Sequence, residues 1–504
     1  MTKMDRRVFT VRFVREGREA QVEEGTTLLA AEIAAGLVPD APCGGQGKCG
    51  KCKVKLDGKE VYACRTKVER SCAVETPGSE EKGAKILKDG SFRSVPCEPG
   101  RLPGGAARPL LAAVDLGSTS VVAYLLDAAT GETLGMESIL NPQRQFGADV
   151  VMRSGYALEH GAESLSICIR QAIDELLGRL AAGAGQESGD IVRIVMVGNT
   201  CMHHLFLELP VDNLVHAPYT PSVTDAVTRK ALECGIHVHP EANLSWLPNI
   251  GGFVGADTAA CMLAAEFDKR EKLTLLVDIG TNGEMVLGNR NGYTVCSTAA
   301  GSAFEGAKIS CGMRGSRGAI DHVKIEDGKL KFHVIGECAP AGLCGSGLLD
   351  AAACLLELGV IDETGYMKEP YFFSENVSLT QKDIRELQLA KAAIAAGIRL
   401  LCRRRGVKPE EIRTLLLAGA FGNYLAPESA CAIGLLPPVL KERIIPVGNA
   451  AGAGARLAVL SETEFARSRE MAARADFLEL ACEADFMDVY VDEMSFAKED
   501  FYGI

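Results

Sequence analysis

Apolar and polar residues alternate at the start of the chain and then change to a helical spacing. The segment RVFTVRFVREGREAQVEEG predicts a β-hairpin with Gly17 at its turn. The next segment, TTLLAAEIAAGL, predicts a short amphipathic helix capped by Thr26 or Thr27. A loop rich in cysteine and glycine follows. Residues 1–77 therefore form a predicted small, β-rich domain.

The segment after this domain lacks a hydrophobic period. Residues 78–108 are rich in Gly, Pro and charged side chains, which is typical of a linker. A second domain is expected to begin at Pro109.

An internal repeat divides the rest of the chain. Residues 110–134 and 273–297 both show an apolar strand, an Asp-x-Gly turn, a second strand, a polar turn and a third strand. This spacing suits two related α/β subdomains that face each other, predicted here as residues 109–272 and 273–504.

Long helical patterns accompany both copies. One is ESLSICIRQAIDELLGRLAAG, and another is SLTQKDIRELQLAKAAIAAGIRLLCRRRG. The second begins with a capping box of Thr380 and Asp383 and is followed by Gly406, which predicts both of its ends.

Composition indicates a large globular protein. The chain has 504 residues, 47% of them hydrophobic, and no apolar run long enough for a membrane span or a signal peptide. Eighteen cysteines without an export signal favour reduced thiols or metal ligation, so a cytoplasmic location is expected. Residues 1–77 carry 14 Lys and Arg against 11 Asp and Glu, so the net charge of −12 leaves −15 on the remainder. An acidic body of this kind argues against a nucleic-acid partner.

The cysteine loop has the spacing of a metal site. Cys43, Cys49, Cys52 and Cys64 follow a C-x5-C-x2-C-x11-C pattern, and three thiolates from one loop with a fourth from a later segment suit a two-iron, two-sulfur cluster. The glycines of the loop, Gly44, Gly45, Gly47 and Gly50, allow amide N–H groups to point at the sulfurs. A structural zinc is the alternative, and Cys72 could replace Cys64 as the fourth ligand.

The two Asp-Gly turns suit a polyphosphate. A strand that ends in Asp-x-Gly-[ST] presents N–H groups and a hydroxyl to an anion, and its Asp can hold a hydrated divalent cation. The chain has two such turns, DLGSTS and DIGTNGE, which begin at Asp115 and Asp278. The alternative is that these glycines only permit close packing of strand and helix.

Two resemblances follow from these motifs. CGGQGKCGKCKVKL and YACRTKVERSCAVETPG resemble the fold of plant-type and adrenodoxin-like ferredoxins, in which Cys64 would be the fourth ligand. The two Asp-Gly turns, with TLLLAGAFGNYLAPESA and PVGNAAGAGARLAVL, resemble the nucleotide site of the superfamily of acetate and sugar kinases, heat-shock chaperones and actin. The implied fold is an α+β, β-grasp [2Fe-2S] ferredoxin-like domain followed by an α/β, two-subdomain actin-like ATPase domain with a duplicated ribonuclease-H-like core.

The second resemblance implies roles for individual residues. Asp115 and Asp278 would organise Mg²⁺ and water, and Glu284 is a candidate catalytic carboxylate whose alternative is a solvated strand residue. The residues implied to bind ATP are Gly117, Ser118, Thr119 and Ser120 in the first phosphate loop, Gly280, Thr281, Asn282 and Gly283 in the second, Gly419, Ala420, Phe421, Gly422 and Asn423 in the adenosine motif, and Gly448 in the second connecting segment, 448–452.

An electron carrier joined to an ATPase resembles the reductive activators of corrinoid proteins. Other segments agree, among them NPQRQFGADVVMRSGYA, NIGGFVGADTAA and GSAFEGAKISCGMRG. The resemblance implies a one-electron reduction of Co(II) to Co(I) in the corrinoid protein of a methyltransferase system. This reduction is uphill for ordinary ferredoxins near about −400 mV and would therefore be coupled to ATP.

The implied partners are the corrinoid protein and an upstream electron donor of ferredoxin or flavodoxin type, and a homodimer is compatible with the sequence. The alternatives are an ATP-driven activator of another low-potential metalloenzyme, such as a radical dehydratase, and a kinase with a redox-sensing ferredoxin domain.

Two further features have two interpretations each. His203 and His204 are candidate cobalt ligands or structural histidines, and the structural interpretation is favoured. The lysines beside the cysteine loop are either docking residues for an acidic partner or solvated charges; they are Lys48, Lys51, Lys53 and Lys55.

Overall fold

A computed structural model describes residues 7–37, 39, 41, 45, 47, 50–76, 93–422 and 424–496; of Ala420 it describes only the backbone. Cys43, Cys49, Gly44, Lys48 and Asn423 lie outside the described residues.

The N-terminal domain is a five-stranded sheet with one helix. Its strand order is β2-β1-β5-β3-β4. The elements are β1 (Val8–Phe13), β2 (Arg18–Glu23), α1 (Leu28–Ala34), β3 (Lys53–Leu56), β4 (Lys59–Tyr62) and β5 (Cys72–Glu75). β1 and β2 form the predicted antiparallel hairpin, and Gly17 has a φ of 63° at its turn. Of the two predicted caps of α1, Thr27 is correct, because its hydroxyl accepts a hydrogen bond from the N–H of Ala30.

The first half of the large domain is built on a six-stranded sheet of order β10-β11-β9-β6-β7-β8. Its strands are β6 (Leu110–Leu116), β7 (Ser120–Asp127), β8 (Thr133–Leu140), β9 (Ile191–Gly198), β10 (Val227–Lys230) and β11 (Asn243–Trp246). Its helices are α2 (Val150–His160), α3 (Glu163–Gly183), α4 (Thr200–Leu207), α5 (Asp212–Val215) and α6 (Ala256–Ala264).

A second six-stranded sheet, of order β21-β20-β12-β13-β14-β22, carries the other half. The elements from residue 274 to residue 405 are β12 (Thr274–Ile279), β13 (Gly283–Asn289), β14 (Gly292–Thr298), β15 (Ala319–Glu326), β16 (Lys329–Val334), β17 (Gly342–Leu343), α7 (Gly345–Glu357), β18 (Tyr371–Phe372), β19 (Ser378–Leu379) and α8 (Gln381–Arg405). The remaining elements are β20 (Thr414–Ala418), α9 (Gly419–Gly422), α10 (Pro427–Ala432), β21 (Ile444–Gly448), α11 (Ala450–Leu460), α12 (Glu462–Ala473), β22 (Ala475–Phe477) and α13 (Phe486–Asp492).

The two sheets repeat one topology. In the first, β6 pairs in parallel with β9 and begins the antiparallel meander β6-β7-β8; in the second, β12 pairs in parallel with β20 and begins the meander β12-β13-β14. The central strands are buried on both faces, as their continuous runs of Leu, Val and Ala predict. This confirms the predicted internal repeat.

The helices between the sheets join the two halves. α6 and α11 pack against each other, and Gly454 of α11 is required because a Cβ there would collide with the carbonyl oxygen of Ala260 in α6. One hydrophobic core contains residues of both sheets, for example Val114 and Leu276. Although α11 follows the second sheet in the chain, it packs on β6 and β9 of the first.

The described part of the predicted linker, residues 93–108, lies along the large domain. Glu98 forms a bridge with Ser461, and the Cys97 thiol contacts the carbonyl oxygen of Ala128 at 3.1 Å. Arg93 forms an ion pair with Glu464. Among the described residues, none of the helices is both long and apolar enough to cross a membrane.

Candidate functional site

The two predicted phosphate loops meet between the halves of the large domain. The β6–β7 turn carries Thr119, and the β12–β13 turn carries Thr281; their hydroxyl oxygens lie 3.2 Å apart. Both hydroxyls donate to the carboxylate of Glu305, at 3.0 Å from Thr119 and 2.7 Å from Thr281. One carboxylate therefore joins the loops of the two halves.

Four more carboxyl groups lie at the base of these loops. Burial raises the pKa of Asp115 to about 7, against a hydrogen bond from Asn449 that lowers it, and the charge of Asp278 adds to the increase. Burial also raises the pKa of Asp278 to about 6. The pKa of Asp257 is raised to about 7 by burial and then by the charge of Asp115. The pKa of Glu284 is raised well above its usual range by burial and by the charges of Asp257 and Asp278. Such a cluster stabilises a cation.

The chemistry of these groups fits Mg²⁺ bound together with phosphate. Mg²⁺ keeps several waters and is usually held by one or two carboxylates and the phosphates of its substrate. Within the described ranges, no three His, Cys, Asp or Glu side chains form a closed metal cage of their own. Asp115 and Asp278 come from opposite halves and both keep some solvent contact, so they suit such an open site.

Two asparagines support the first phosphate loop. The amide of Asn449 donates to Asp115 at 2.9 Å, and its oxygen caps α11 by accepting from the N–H of Gly452 at 2.7 Å. Asn199 caps α4, and its amide donates to the hydroxyl of Ser118 at 2.8 Å. Ser118 is buried, and its hydroxyl accepts this hydrogen bond.

A buried arginine lies behind the same loop. Arg153 donates to the carbonyl oxygens of Ser118 and Gly147, at 2.7 and 3.0 Å. Burial lowers its pKa to about 10, which leaves the guanidinium charged at neutral pH. Its charge therefore favours an anion at the loop.

The predicted adenosine segment lies beside the second phosphate loop. Gly419 has a φ of +90°, and a Cβ there would lie 2.7 Å from the carbonyl oxygen of Ile279 and would collide with the Asp278 carboxylate. Phe421 stacks on Phe304 with ring centroids 5.0 Å apart. Gly448 ends β21 with a φ of +70° directly before Asn449.

The sequence reasoning missed Asp257, Glu305 and Asn449 as site residues. Asp257 and Glu305 lie in segments that carried the family resemblance, and Asn449 lies within 448–452. Their residue types offered no signal of their own, because each reaches the site only through the packing of distant segments.

The described cysteines of the predicted cluster fit an iron-sulfur site. Burial raises the pKa of the Cys52 thiol, and the neighbouring Cys64 contributes to this shift, so the two thiols lie close to each other. Gly45, Gly47 and Gly50 have φ values of +81°, +71° and +66°, which confirms the unusual backbone angles expected at these glycines. Cys72 lies on β5, where burial raises its pKa.

The two histidines are structural in this arrangement. His203 and His204 are fully buried, and the His203 ring packs edge-on against Trp246. His204 accepts from the N–H of Ser222 at 3.1 Å. Neither ring is exposed to a corrinoid in solution.

Of the described lysines beside the cysteine loop, Lys53 pairs with Glu60, and Lys51 donates to the carbonyl oxygen of Gly312 at 3.2 Å.

Three family descriptions match the chain in succession. Residues 12–82 match the 2Fe-2S iron-sulfur cluster binding domain, residues 110–270 match the RACo middle region, and residues 272–503 match the C-terminal domain of RACo, the ASKHA domain. These matches confirm the predicted fold class of a ferredoxin-like domain followed by an actin-like ATPase domain, and they support the predicted [2Fe-2S] cluster over the zinc alternative.

Known proteins match over most of the chain. The corrinoid activation enzyme RamQ of Eubacterium limosum is 33% identical over 94% of this chain and 97% of its own length. The [Co(II) methylated amine-specific corrinoid protein] reductase of Methanosarcina barkeri is 28% identical over 76% of each chain. A solved structure, of a reductive activator for a corrinoid, iron-sulfur protein, is 29% identical with a TM-score of 0.72 and covers 98% of this chain and 99% of its own.

Proposed function

Because the chain belongs to the RACo family of corrinoid activation enzymes, we propose that it is an ATP-dependent reductase of a corrinoid protein. It returns the inactive Co(II) form of a methyltransferase system's corrinoid protein to Co(I) by one-electron transfer. The names of its relatives support the corrinoid substrate.

The convergence of the two phosphate loops carries this proposal. Thr119 and Thr281 come from different sheets, and their hydroxyls face the same carboxylate of Glu305. A polyphosphate bound there contacts both halves at once, so its binding and cleavage alter how the halves are held together.

We assign the nucleotide contacts residue by residue. Thr119 and Thr281 donate their hydroxyls to the terminal phosphates, and the charge of buried Arg153 favours the anion from behind Ser118. Asp115 and Asp278 would hold a hydrated Mg²⁺, which would neutralise charge on the phosphates. Residues Gly419, Phe421 and Gly422 form the described part of the adenosine site. The amide of Asn449 donates to Asp115 and orients its carboxylate.

A carboxylate must also accept the proton of the attacking water. The pKa of Asp257 is raised to about 7, which leaves this group partly ionised near neutral pH and suited to a general base. Asp257 lies close enough to both proposed Mg²⁺ carboxylates, Asp115 and Asp278, for their charges to raise its pKa, whereas Glu284 is affected by Asp257 and Asp278; we therefore assign the proton transfer to Asp257 in preference to Glu284.

The thiolates of Cys43, Cys49, Cys52 and Cys64 would hold the cluster, which supplies a single low-potential electron when bound. We also propose that the protein takes its electron from a donor of ferredoxin or flavodoxin type, forms a homodimer and lies in the cytoplasm. The proposed domain boundaries are 1–77, 78–108, 109–272 and 273–504.

One anaerobic experiment tests the function. The reduced protein is mixed with a Co(II) methyltransferase-type corrinoid protein, and Co(I) absorption is followed with Mg-ATP, with Mg-ADP and without nucleotide. We expect Co(I) to accumulate only with ATP. Failure to form Co(I) with any such corrinoid protein would contradict the proposal, and phosphorylation of a small molecule would favour the kinase alternative.

A further inference from the structure

The ferredoxin-like domain contacts both halves of the large domain. On one side, Arg144 donates to the carbonyl oxygen of Pro39 at 3.0 Å; on the other, Lys51 donates to the carbonyl oxygen of Gly312 at 3.2 Å. Pro39 precedes the cysteine loop, and Lys51 lies between Cys49 and Cys52. The cysteine loop is therefore held at one point on each half.

The contact on the first half leads directly to the first phosphate loop. The side-chain amide of Asn141 donates to the carbonyl oxygen of Gly117 at 2.8 Å. Its backbone N–H donates to the carbonyl oxygen of Thr119 at 2.9 Å. The same residue caps the short 3-10 helix Pro142–Gln145, which carries Arg144. Arg144 is thus positioned by the loop that is proposed to bind phosphate.

The contact on the second half leads to the second phosphate loop. Glu305 accepts from Thr281, and the residue after it, Gly306, packs directly on Gly312. A Cβ at Gly312 would collide with the carbonyl oxygen of Gly306, and a Cβ at Gly306 would lie 2.6 Å from the nitrogen of Met313. A shift of the backbone at Glu305 is therefore transmitted to Gly312.

A nucleotide affects both contacts. The hydroxyls of Thr119 and Thr281 already donate to Glu305, so a terminal phosphate that takes these donors competes with the Glu305 carboxylate. In addition, Arg144 and Gly312 belong to different halves, so a change in the relative position of the halves strains at least one of the two contacts.

We propose that Arg144 and Lys51 dock the ferredoxin-like domain across the nucleotide cleft, and that a nucleoside triphosphate bound between the phosphate loops releases it. This inference rests on the proposed nucleotide site. Release frees the cysteine loop to approach another protein. A diphosphate lacks the terminal phosphate that competes with Glu305 and leaves the domain docked.

Hydrogen–deuterium exchange of the full, cluster-loaded chain under anaerobic conditions tests the inference. Exchange is compared with Mg²⁺ alone, with Mg-ADP and with Mg²⁺ and a non-hydrolysable ATP analogue. We expect both nucleotides to slow exchange in the phosphate loops, and only the ATP analogue to speed exchange at least several-fold in residues 37–53 and 303–313.

The exchange data distinguish failure of the docking inference from failure of the proposed nucleotide site. If the ATP analogue protects the phosphate loops while exchange in residues 37–53 stays constant or slows, the docking inference is wrong and the nucleotide site stands. If neither nucleotide protects the phosphate loops, the nucleotide site itself is wrong and the inference fails with it.

Variants of the docking residues give an independent measurement. Lys51→Ala and Arg144→Ala should each raise exchange in residues 37–53 without nucleotide, by about fivefold for one lost hydrogen bond, and should reduce the further effect of the ATP analogue. Lys55→Ala is the matched control, because Lys55 is exposed on β3. Visible absorption checks that each variant retains its cluster. Identical exchange in Lys51→Ala and Lys55→Ala would overturn the inference.

Discussion

The hydroxyl oxygens of Thr119 and Thr281 lie 3.2 Å apart, although the two residues follow the first strands of different meanders. Each is a turn residue that sequence reasoning placed at a phosphate. Their proximity means that one phosphate group can accept from both, which couples the two sheets to the same ligand.

Replacing Thr281 tests this coupling. Thr281→Val keeps the shape and removes the donor, so we expect a ten- to hundredfold loss in affinity for Mg-ATP, about the effect of one hydrogen bond to a charged group. Thr281→Ser is the matched control and should retain most of the affinity. Nucleotide titration and steady-state ATP hydrolysis measure both. Equal affinities of the Val and Ser variants would exclude the hydroxyl as a phosphate contact.

Asn449 has two functions that two variants can separate. Its oxygen caps α11 and its amide donates to Asp115. Asn449→Ser retains a capping oxygen but lacks the amide donor, so ATP hydrolysis should fall about tenfold while the thermal midpoint is retained.

Asn449→Ala should lose both properties, with an additional cost of about 1 kcal/mol for the missing cap. Thermal unfolding and ATP hydrolysis are compared for the two variants. Normal hydrolysis in the Ser variant would show that Asp115 does not need the amide.

Much of the fold was predictable because it depends on local patterns. The segment predicted as a helix is α3, Glu163–Gly183, with the same ends, and the capping box of Thr380 and Asp383 begins α8 as expected. Local side-chain chemistry determines such ends. The repeated strand-turn-strand pattern likewise predicted the two matching sheets.

The site was predictable only where its residues lie in turns with a recognisable pattern. Thr119 and Thr281 were found in this way. Glu305 and Asn449 reach the same cleft from irregular or distant segments, and a single sequence contains no measure of those distances. Likewise, α11 packs between the sheets because its small residues allow close contact, which periodicity alone does not show.

The fourth cluster ligand can be tested by removing single thiols. Cys64 lies close enough to Cys52 to contribute to the shift in its pKa, whereas Cys72 lies on β5 opposite Val11. Cys64→Ala should therefore lose the iron content and visible absorption of a [2Fe-2S] cluster, and Cys72→Ala should retain both. ATP hydrolysis is the control for intact folding of the large domain. Loss of the cluster in Cys72→Ala alone would reassign the ligand.

The buried histidine pair makes stability depend on pH. Burial, and then the charge of His204, lowers the pKa of His203 from 6.5 to about 3. An unfolded His203 thus binds a proton near pH 6 that the folded protein excludes. Its contribution to stability is complete above about pH 6.5 and is lost as the pH falls toward 3, by about 1.4 kcal/mol for each pH unit.

Urea unfolding at pH 7.5 and pH 5.5, followed by circular dichroism, measures this dependence. His203→Gln removes the titrating ring and retains an amide that can reach Asn249, the present partner of the His203 Nδ1 atom at 3.1 Å. The variant should lose about 1 kcal/mol less stability than the wild type between these two pH values. The comparison uses differences in pH dependence, so an overall destabilisation of the variant does not affect it. An unchanged pH dependence would mean that His203 has the same pKa in the folded and the unfolded protein.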